Sequence, residues 1–154
     1  MATHIPPVQN INVLLVEDSR RDALLTRWQL SAIDDEFFFY RAGTLKDALI
    51  QMEQHSIDVL VLDLGLPDSD GLHSLDVLTE QFPTLPIVVL SGRSDEVATL
   101  SALQHGAQEF LIKGECSGIM IRQAMRAAIF RKSLNQMVVA HHLKRQPPKK
   151  RPRL

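Results

Sequence analysis

The chain has 154 residues, of which 45% are hydrophobic and 23% are charged, a composition that fits one soluble domain with its own core and excludes a disordered chain. Its single cysteine, Cys116, excludes an internal disulfide, and neither a signal peptide nor an apolar span of about 20 residues is visible, so we expect a cytoplasmic protein. Six of the 17 basic residues lie within 144–154, and the acidic remainder argues against nucleic-acid binding outside that tail.

Five short apolar runs alternate along the chain with segments of helical spacing. The runs cover residues 11–16, 37–40, 59–62, 87–90 and 110–112. Runs of this length without polar interruption predict strands that are covered on both faces, and we interpret the aromatic second run as such a buried strand. Strands alternating with helices predict βαβ units in a parallel sheet, and therefore an α/β fold.

Polar and glycine residues mark where the helices begin and end. The candidate caps are Asp18 or Ser19 for the first helix, Thr44 for the second and Gly106 for the end of the fourth. Before the third helix, Asp68 and Asp70 lie in a turn-rich segment. We predict turn and cap roles for both, because a calcium loop would need a later glutamate that is missing.

The last helix is predicted to continue past the edge of the domain. After Gly118 nothing before Lys144 stops a helix, so we divide the chain into a lead (1–10), a domain (11–131), a helical extension (132–145) and a basic tail (146–154) predicted to be disordered. The tail could contact an acidic partner, a membrane or nucleic acid, or stay unoccupied. The extension repeats apolar residues at helical spacing, which predicts a homodimer or a partner helix, unless it folds back or frays: Phe130, Leu134, Met137, Val138 and His141.

Polar side chains follow the strands at the points where the apolar runs stop. They are Glu17 and Asp18 after the first run, Asp63 after the third, Ser91 after the fourth and Lys113 after the fifth. Ligands bind at the carboxyl ends of strands in open α/β sheets, and an order of 2-1-3-4-5 would bring Asp18 and Asp63 together. Carboxylates at one edge repel each other unless a hard cation joins them, most simply Mg²⁺.

Such a site could transfer a phosphoryl group onto a carboxylate. We expect Asp63 to be the nucleophile because it follows the central strand, with Lys113 as the point charge and Ser91 as the hydroxyl donor. The Gly65 carbonyl is the candidate that completes the protein's share of the metal shell.

Four blocks of this sequence resemble the signature blocks of two-component response-regulator receivers. They are Val13–Asp18, Val59–Gly71, Ile87–Gly92 and Gly106–Lys113, in order and at family-like intervals. The resemblance implies a doubly wound, five-stranded, flavodoxin-like fold and phosphoryl transfer from a histidine kinase or histidine phosphotransfer protein to a signalling domain that is not an enzyme. It assigns Glu17, Asp18 and Asp63 to the metal, Ser91 and Lys113 to phosphoryl contacts, and Phe110 to the aromatic switch.

Two positions depart from the family pattern. Proline usually follows the lysine, often after a cis bond, whereas here Gly114 follows Lys113, and we expect a trans bond because cis bonds before other residues are costly. Phe110 replaces the common tyrosine, so an output that reads a tyrosine hydroxyl would be lost. The Lys-Gly-Glu variant and the long final helix resemble receivers that lead into a further domain, and we expect this chain to end there and to signal through a downstream protein.

Two other functions remain open at this point. An interaction domain could keep the fold without regulation by phosphate, although the intact set of polar residues speaks against it. A metal-dependent phosphatase would use similar chemistry, but no cap domain or second acid–base aspartate near Asp63 is evident.

Overall fold

The computed structural model describes residues 10–33, 36–92 and 96–145, which form a parallel sheet between two layers of helices. Most of the predicted lead and the whole basic tail, 1–9 and 146–154, lie outside the described residues, and so do the predicted disorder and contacts of the tail. The elements are β1 Ile11–Val16, α1 Arg20–Ser31, β2 Phe37–Ala42, α2 Leu45–Gln54, β3 Val59–Leu62, α3 Gly71–Gln81, β4 Ile87–Ser91, α4 Glu96–Gln104, β5 Glu109–Ile112 and α5 Gly118–Arg145.

The strand order is β2-β1-β3-β4-β5, and every adjacent pair is parallel, as predicted. The alternation of side chains along each strand divides the core in two. One core joins the sheet to α2, α3 and α4 through residues such as Leu14, Leu60 and Leu75. The other joins it to α1 and α5 through residues such as Val61 and Met125. Helices on both faces explain why β1, β3 and β4 are almost continuously apolar.

The edge strands are less buried than the sequence predicted. In β2 only Phe37 and Ala42 are buried, and Phe38 is 54% exposed. The prediction that 37–40 belong to a strand is confirmed, but the prediction that this strand is buried is wrong. The reason is that β2 pairs with β1 alone and leaves its outer side open. At the other edge, every residue of β5 is only partly buried.

The predicted helix caps are formed by the expected residues. Ser19 accepts a hydrogen bond from the Asp22 N–H, and Thr44 accepts one from the Asp47 N–H. Asp68 also serves as a cap, but for α2 rather than for its own helix, because it accepts from the N–H groups of Leu45 and Lys46. Gly106 ends the turn after α4 with a φ of 103°, a conformation that suits glycine.

Apolar spacing predicts the buried side of α4 wrongly but predicts the exposed apolar stripe of α5 correctly. In α4, helical spacing of Val97, Leu100 and Leu103 predicts that these residues form the buried side, yet all three are exposed and Ala102 is buried. In α5 the helix does continue to Arg145, and the predicted stripe is open, with Phe130 63% and Met137 68% exposed. Within the described residues no helix combines the length and the apolar character needed to cross a membrane.

Candidate phosphoacceptor site

The register of the sheet brings the predicted carboxylates together at the carboxyl ends of the strands. Val16 pairs with Leu62, so the residues that follow β1 and β3 are neighbours at the carboxyl ends of the strands. The backbone fixes them there: the Asp63 N–H donates to the Val16 carbonyl at 2.9 Å, and the Glu17 N–H donates to the Ala42 carbonyl at 2.9 Å. The side chains therefore start from regular sheet positions rather than from a loop.

Three carboxylates could share one cation. Glu17, Asp18 and Asp63 each offer an oxygen, and these oxygens lie within 4.8 Å of one another. Glu17 is only 6% exposed, and its Oε2 atom is buried without a hydrogen-bond partner. A buried carboxylate oxygen that lacks a donor fits a metal ligand, and an all-oxygen set of this kind fits Mg²⁺.

Lys113 follows β5, and its side chain reaches the carboxylates that follow β1 and β3. Its N–H donates to the Ser91 carbonyl at 2.9 Å, which continues the pairing of β4 and β5 by one residue. Its Nζ donates to Glu17 Oε1 at 2.5 Å and to Asp63 Oδ2 at 3.1 Å. Lys113 thus provides a positive charge directly beside the predicted nucleophile.

A third acceptor of Lys113 was missed by the sequence analysis. Asp22, in the first turn of α1, accepts from Lys113 Nζ at 3.0 Å. Its position three residues after the Ser19 cap was the available signal, because a side chain there points back toward the beginning of the helix, where Glu17 and Asp18 lie. It does not belong to the three-carboxylate group found among the described residues.

The pKa values of the two buried acids, Glu17 and Asp63, are shifted in opposite directions. Burial raises the pKa of Glu17 to about 8, its hydrogen bond with Asp63 adds to this, and Lys113 opposes it. Burial also raises the pKa of Asp63, but the hydrogen bonds from Glu17, the Gly65 N–H and Lys113 outweigh it, so the net pKa lies below the usual range. The two acids therefore titrate as a pair, in which the pKa of Glu17 lies above and that of Asp63 below the usual range.

The surroundings of Lys113 favour its charged form. Burial lowers its pKa, but the hydrogen bonds to Glu17, Asp22 and Asp63 outweigh that effect and raise it above the usual lysine value. The ammonium group therefore stays charged at neutral pH beside the ionised Asp63.

The remaining predicted site residues lie around Asp63. Ser91, 3% exposed, lines with Asp63 and Gly65 a cavity of about 650 Å³ that opens toward α4. The Gly65 N–H donates to Asp63 Oδ1 at 3.1 Å, while the role predicted for its carbonyl remains a prediction. Phe110 is half-buried, pairs with Val89 and packs against the core shared with α2, α3 and α4.

The loop after Lys113 follows the expectation from Gly114. None of the described peptide bonds is cis, so the Lys113–Gly114 bond is trans. Gly114 has a φ of 81°, in the left-handed region, and no side chain or backbone atom lies near the position of a Cβ there. Glycine thus supplies a turn in place of the proline that the family pattern would have.

The fold and this edge of the sheet define a class of protein. Residues 13–128 match the family described as the response regulator receiver domain, and the chain belongs to that family. These are domains of two-component signal transduction, as the resemblance implied.

The curated relatives that the chain matches are longer proteins. It is 37% identical over 102 residues to the KDP operon transcriptional regulatory protein KdpE of Escherichia coli, which covers 66% of this chain and 44% of KdpE. It is 34% identical over 115 residues to the regulatory protein LuxO of Vibrio cholerae, which covers 75% of this chain and 25% of LuxO. The chain therefore spans less than half the length of these two relatives.

Solved structures agree on the fold. A response regulator receiver domain protein from Clostridium thermocellum is 25% identical, with a TM-score of 0.70 over 80% of this chain and 98% of that one. A CheY-like receiver domain protein from Methanospirillum hungatei, at 16% identity and a TM-score of 0.71, covers 82% of this chain and 99% of that one. The second shows the shared fold only.

Proposed function

We propose that the chain accepts a phosphoryl group on Asp63 in a reaction that requires Mg²⁺. The observation that carries this proposal is the convergence at one edge of an ionised Asp63, a charged Lys113 at 3.1 Å and two further carboxylates within reach of one cation. Glu17, Asp18, Asp63 and the Gly65 carbonyl would hold the ion. When bound, it would offset the negative charge of the phosphoryl oxygens.

The chain's own residues account for the rest of the transfer. An Asp63 carboxylate oxygen forms a bond to phosphorus while the bond from phosphorus to the donor nitrogen breaks, and the donor imidazole leaves with the electron pair. Lys113 stabilises the phosphoryl oxygens by charge, and the Ser91 hydroxyl donates to another of them. The domain thereby promotes its own phosphorylation and dephosphorylation and transforms no other substrate.

The phosphoryl donor in this proposal is a histidine kinase or a histidine phosphotransfer protein. The output is a protein–protein contact made by a downstream partner. Membership of the receiver family supports both parts of this proposal. Which kinase and which target are paired with this chain is a question for phosphotransfer profiling against candidate kinases.

Removal of the divalent ion is the direct test of this function. We expect acetyl phosphate with Mg²⁺ to add the mass of one phosphoryl group to the intact protein. An excess of chelator should return the labelling to background, because the carboxylates then repel the anionic donor. Restoring Mg²⁺ in excess over the chelator should restore the label. Labelling that proceeds equally with chelator would contradict the proposed metal site.

Signal readout should pass from Ser91 to Phe110. A phosphoryl group on Asp63 should draw the buried Ser91 hydroxyl inward, and Phe110 could then enter the vacated space and shift a two-state equilibrium. We expect a beryllofluoride mimic to change amide hydrogen exchange in 96–103 and 110–112, measured by mass spectrometry. Amide exchange in helix α2, which lies on the opposite side of α3 from α4, is the internal reference. Unchanged exchange in 96–103 and 110–112 at saturating mimic would point to a different output face.

A further inference from the structure

The three ammonium protons of Lys113 each have a carboxylate partner. Nζ lies 2.5 Å from Glu17 Oε1, 3.0 Å from Asp22 Oδ2 and 3.1 Å from Asp63 Oδ2. The side chains of Glu17 and Asp63 are 9% and 13% exposed, whereas that of Asp22 is 40% exposed. Lys113 is therefore held between a buried pair of acids and one acid on the solvent side.

The two kinds of partner differ in what else they can bind. Glu17 and Asp63 belong to the group of three carboxylates that could hold a cation, and Asp22 does not. A cation on Glu17 and Asp63 would compete with Lys113 for the negative charge of these two carboxylates. Asp22, which lies outside that group, would still accept a hydrogen bond from the Lys113 ammonium group when the cation is bound.

We propose that Asp22 is a positioning residue that keeps Lys113 at the site when Glu17 and Asp63 are occupied by the metal ion. This inference rests on the proposed function, since it concerns the metal-bound site. The beginning of α1 gives Asp22 a fixed place, because its N–H donates to the Ser19 hydroxyl at 3.2 Å and its carboxylate faces back toward β1. The lysine then stays within reach of a phosphoryl group on Asp63 and cannot turn out into solvent.

A second aspartate provides a matched control for a purely structural role. Asp47 lies in α2 at the same helix position as Asp22 in α1, and its N–H donates to the Thr44 hydroxyl at 3.0 Å. An acid there favours the helix through its dipole in both cases. Only Asp22 also accepts from Lys113. Substitution to Asn removes the helix-dipole contribution in both variants and the ion pair with Lys113 in one.

The rate at which Lys113 is acylated measures how firmly its carboxylate partners hold it, because an amine-acylating reagent reacts only with the neutral amine that has left those partners. The full chain and its Asp22→Asn, Asp22→Glu and Asp47→Asn variants are acylated in brief pulses, with and without saturating Mg²⁺, and modification of Lys113 is quantified by peptide mass spectrometry. Thermal unfolding confirms that each variant is folded. In the wild type, Mg²⁺ should raise the rate only modestly, because it weakens two of the three ion pairs while the pair with Asp22 remains.

The proposal predicts a larger effect of Mg²⁺ in one variant only. With Mg²⁺, Asp22→Asn should acylate about two- to fivefold faster than the wild type, the range expected for losing a half-exposed ion pair. Asp47→Asn should match the wild type, and Asp22→Glu should restore part of the protection. Equal rates for Asp22→Asn and Asp47→Asn, with a clear Mg²⁺ effect in the wild type, would overturn the role of Asp22 alone. No effect of Mg²⁺ in the wild type or in any variant, Asp22→Asn included, would overturn the proposed metal site and this role with it.

Discussion

Asp63→Asn is expected to reduce labelling by acetyl phosphate to background while leaving the fold intact. Among the described carboxylates, Asp63 is the one that accepts from both Lys113 and the Gly65 N–H, and these hydrogen bonds help to lower its pKa. An amide has nearly the same shape but lacks the anionic oxygen that must attack phosphorus. Intact mass after incubation with acetyl phosphate and Mg²⁺ gives the answer.

The control for this prediction is a carboxylate in the same loop that lies outside the group of three carboxylates and does not contact Lys113. Asp70 is exposed, begins α3 and makes no side-chain cap hydrogen bond, so Asp70→Asn should label like the wild type. Circular dichroism should show that both variants are folded. Labelling of Asp63→Asn at the wild-type level would mean that another residue accepts the phosphoryl group.

The second large effect is expected from two charges placed on the extension of α5. We propose that this extension pairs with a second copy of the chain, since Leu134 and Val138 lie one turn apart on the open stripe and are 43% and 67% exposed. An aspartate at each position would be buried without a partner in such a dimer. We expect Leu134→Asp/Val138→Asp to raise the dissociation constant more than about a hundredfold, measured by sedimentation.

The charge of α5 adds a condition to this prediction. From Gly118 to Arg145 the helix contains no Asp or Glu and several Arg and Lys residues, so two copies would repel each other. Self-association should therefore strengthen as salt rises, because screening shortens the reach of this repulsion. A control variant, Leu24→Asp/Trp28→Asp on the exposed side of α1, should sediment like the wild type. If the wild type is monomeric at high concentration and at every ionic strength, the extension does not mediate self-association.

Much of this architecture could be predicted because its signals are local. The almost continuously apolar runs of β1, β3 and β4 predicted strands covered on both faces. The polar residues directly after β1, β3 and β5 predicted the group of carboxylates and Lys113. The caps at Ser19 and Thr44 were visible for the same reason, since a capping hydroxyl acts within three residues of its own position.

The features that were missed depend on partners distant in sequence. The exposure of Phe38 follows from the edge position of β2, which no spacing within the strand reveals. In α4, Ala102 rather than the larger Leu100 faces the core, because the neighbouring elements decide which side is covered. The contact between Asp22 and Lys113 joins residues 91 positions apart, so only the assembled sheet brings them together.

The most direct test of the central claim is to locate the phosphoryl group chemically. Borohydride reduces an aspartyl phosphate to homoserine, which marks the modified position permanently in a peptide digest. After treatment with acetyl phosphate and Mg²⁺, we predict homoserine at position 63 and at no other aspartate, and none in a sample treated with chelator. Homoserine at Asp18 or Asp22 with Asp63 unchanged, or no homoserine in a labelled protein, would contradict the assignment of Asp63 as the phosphoacceptor.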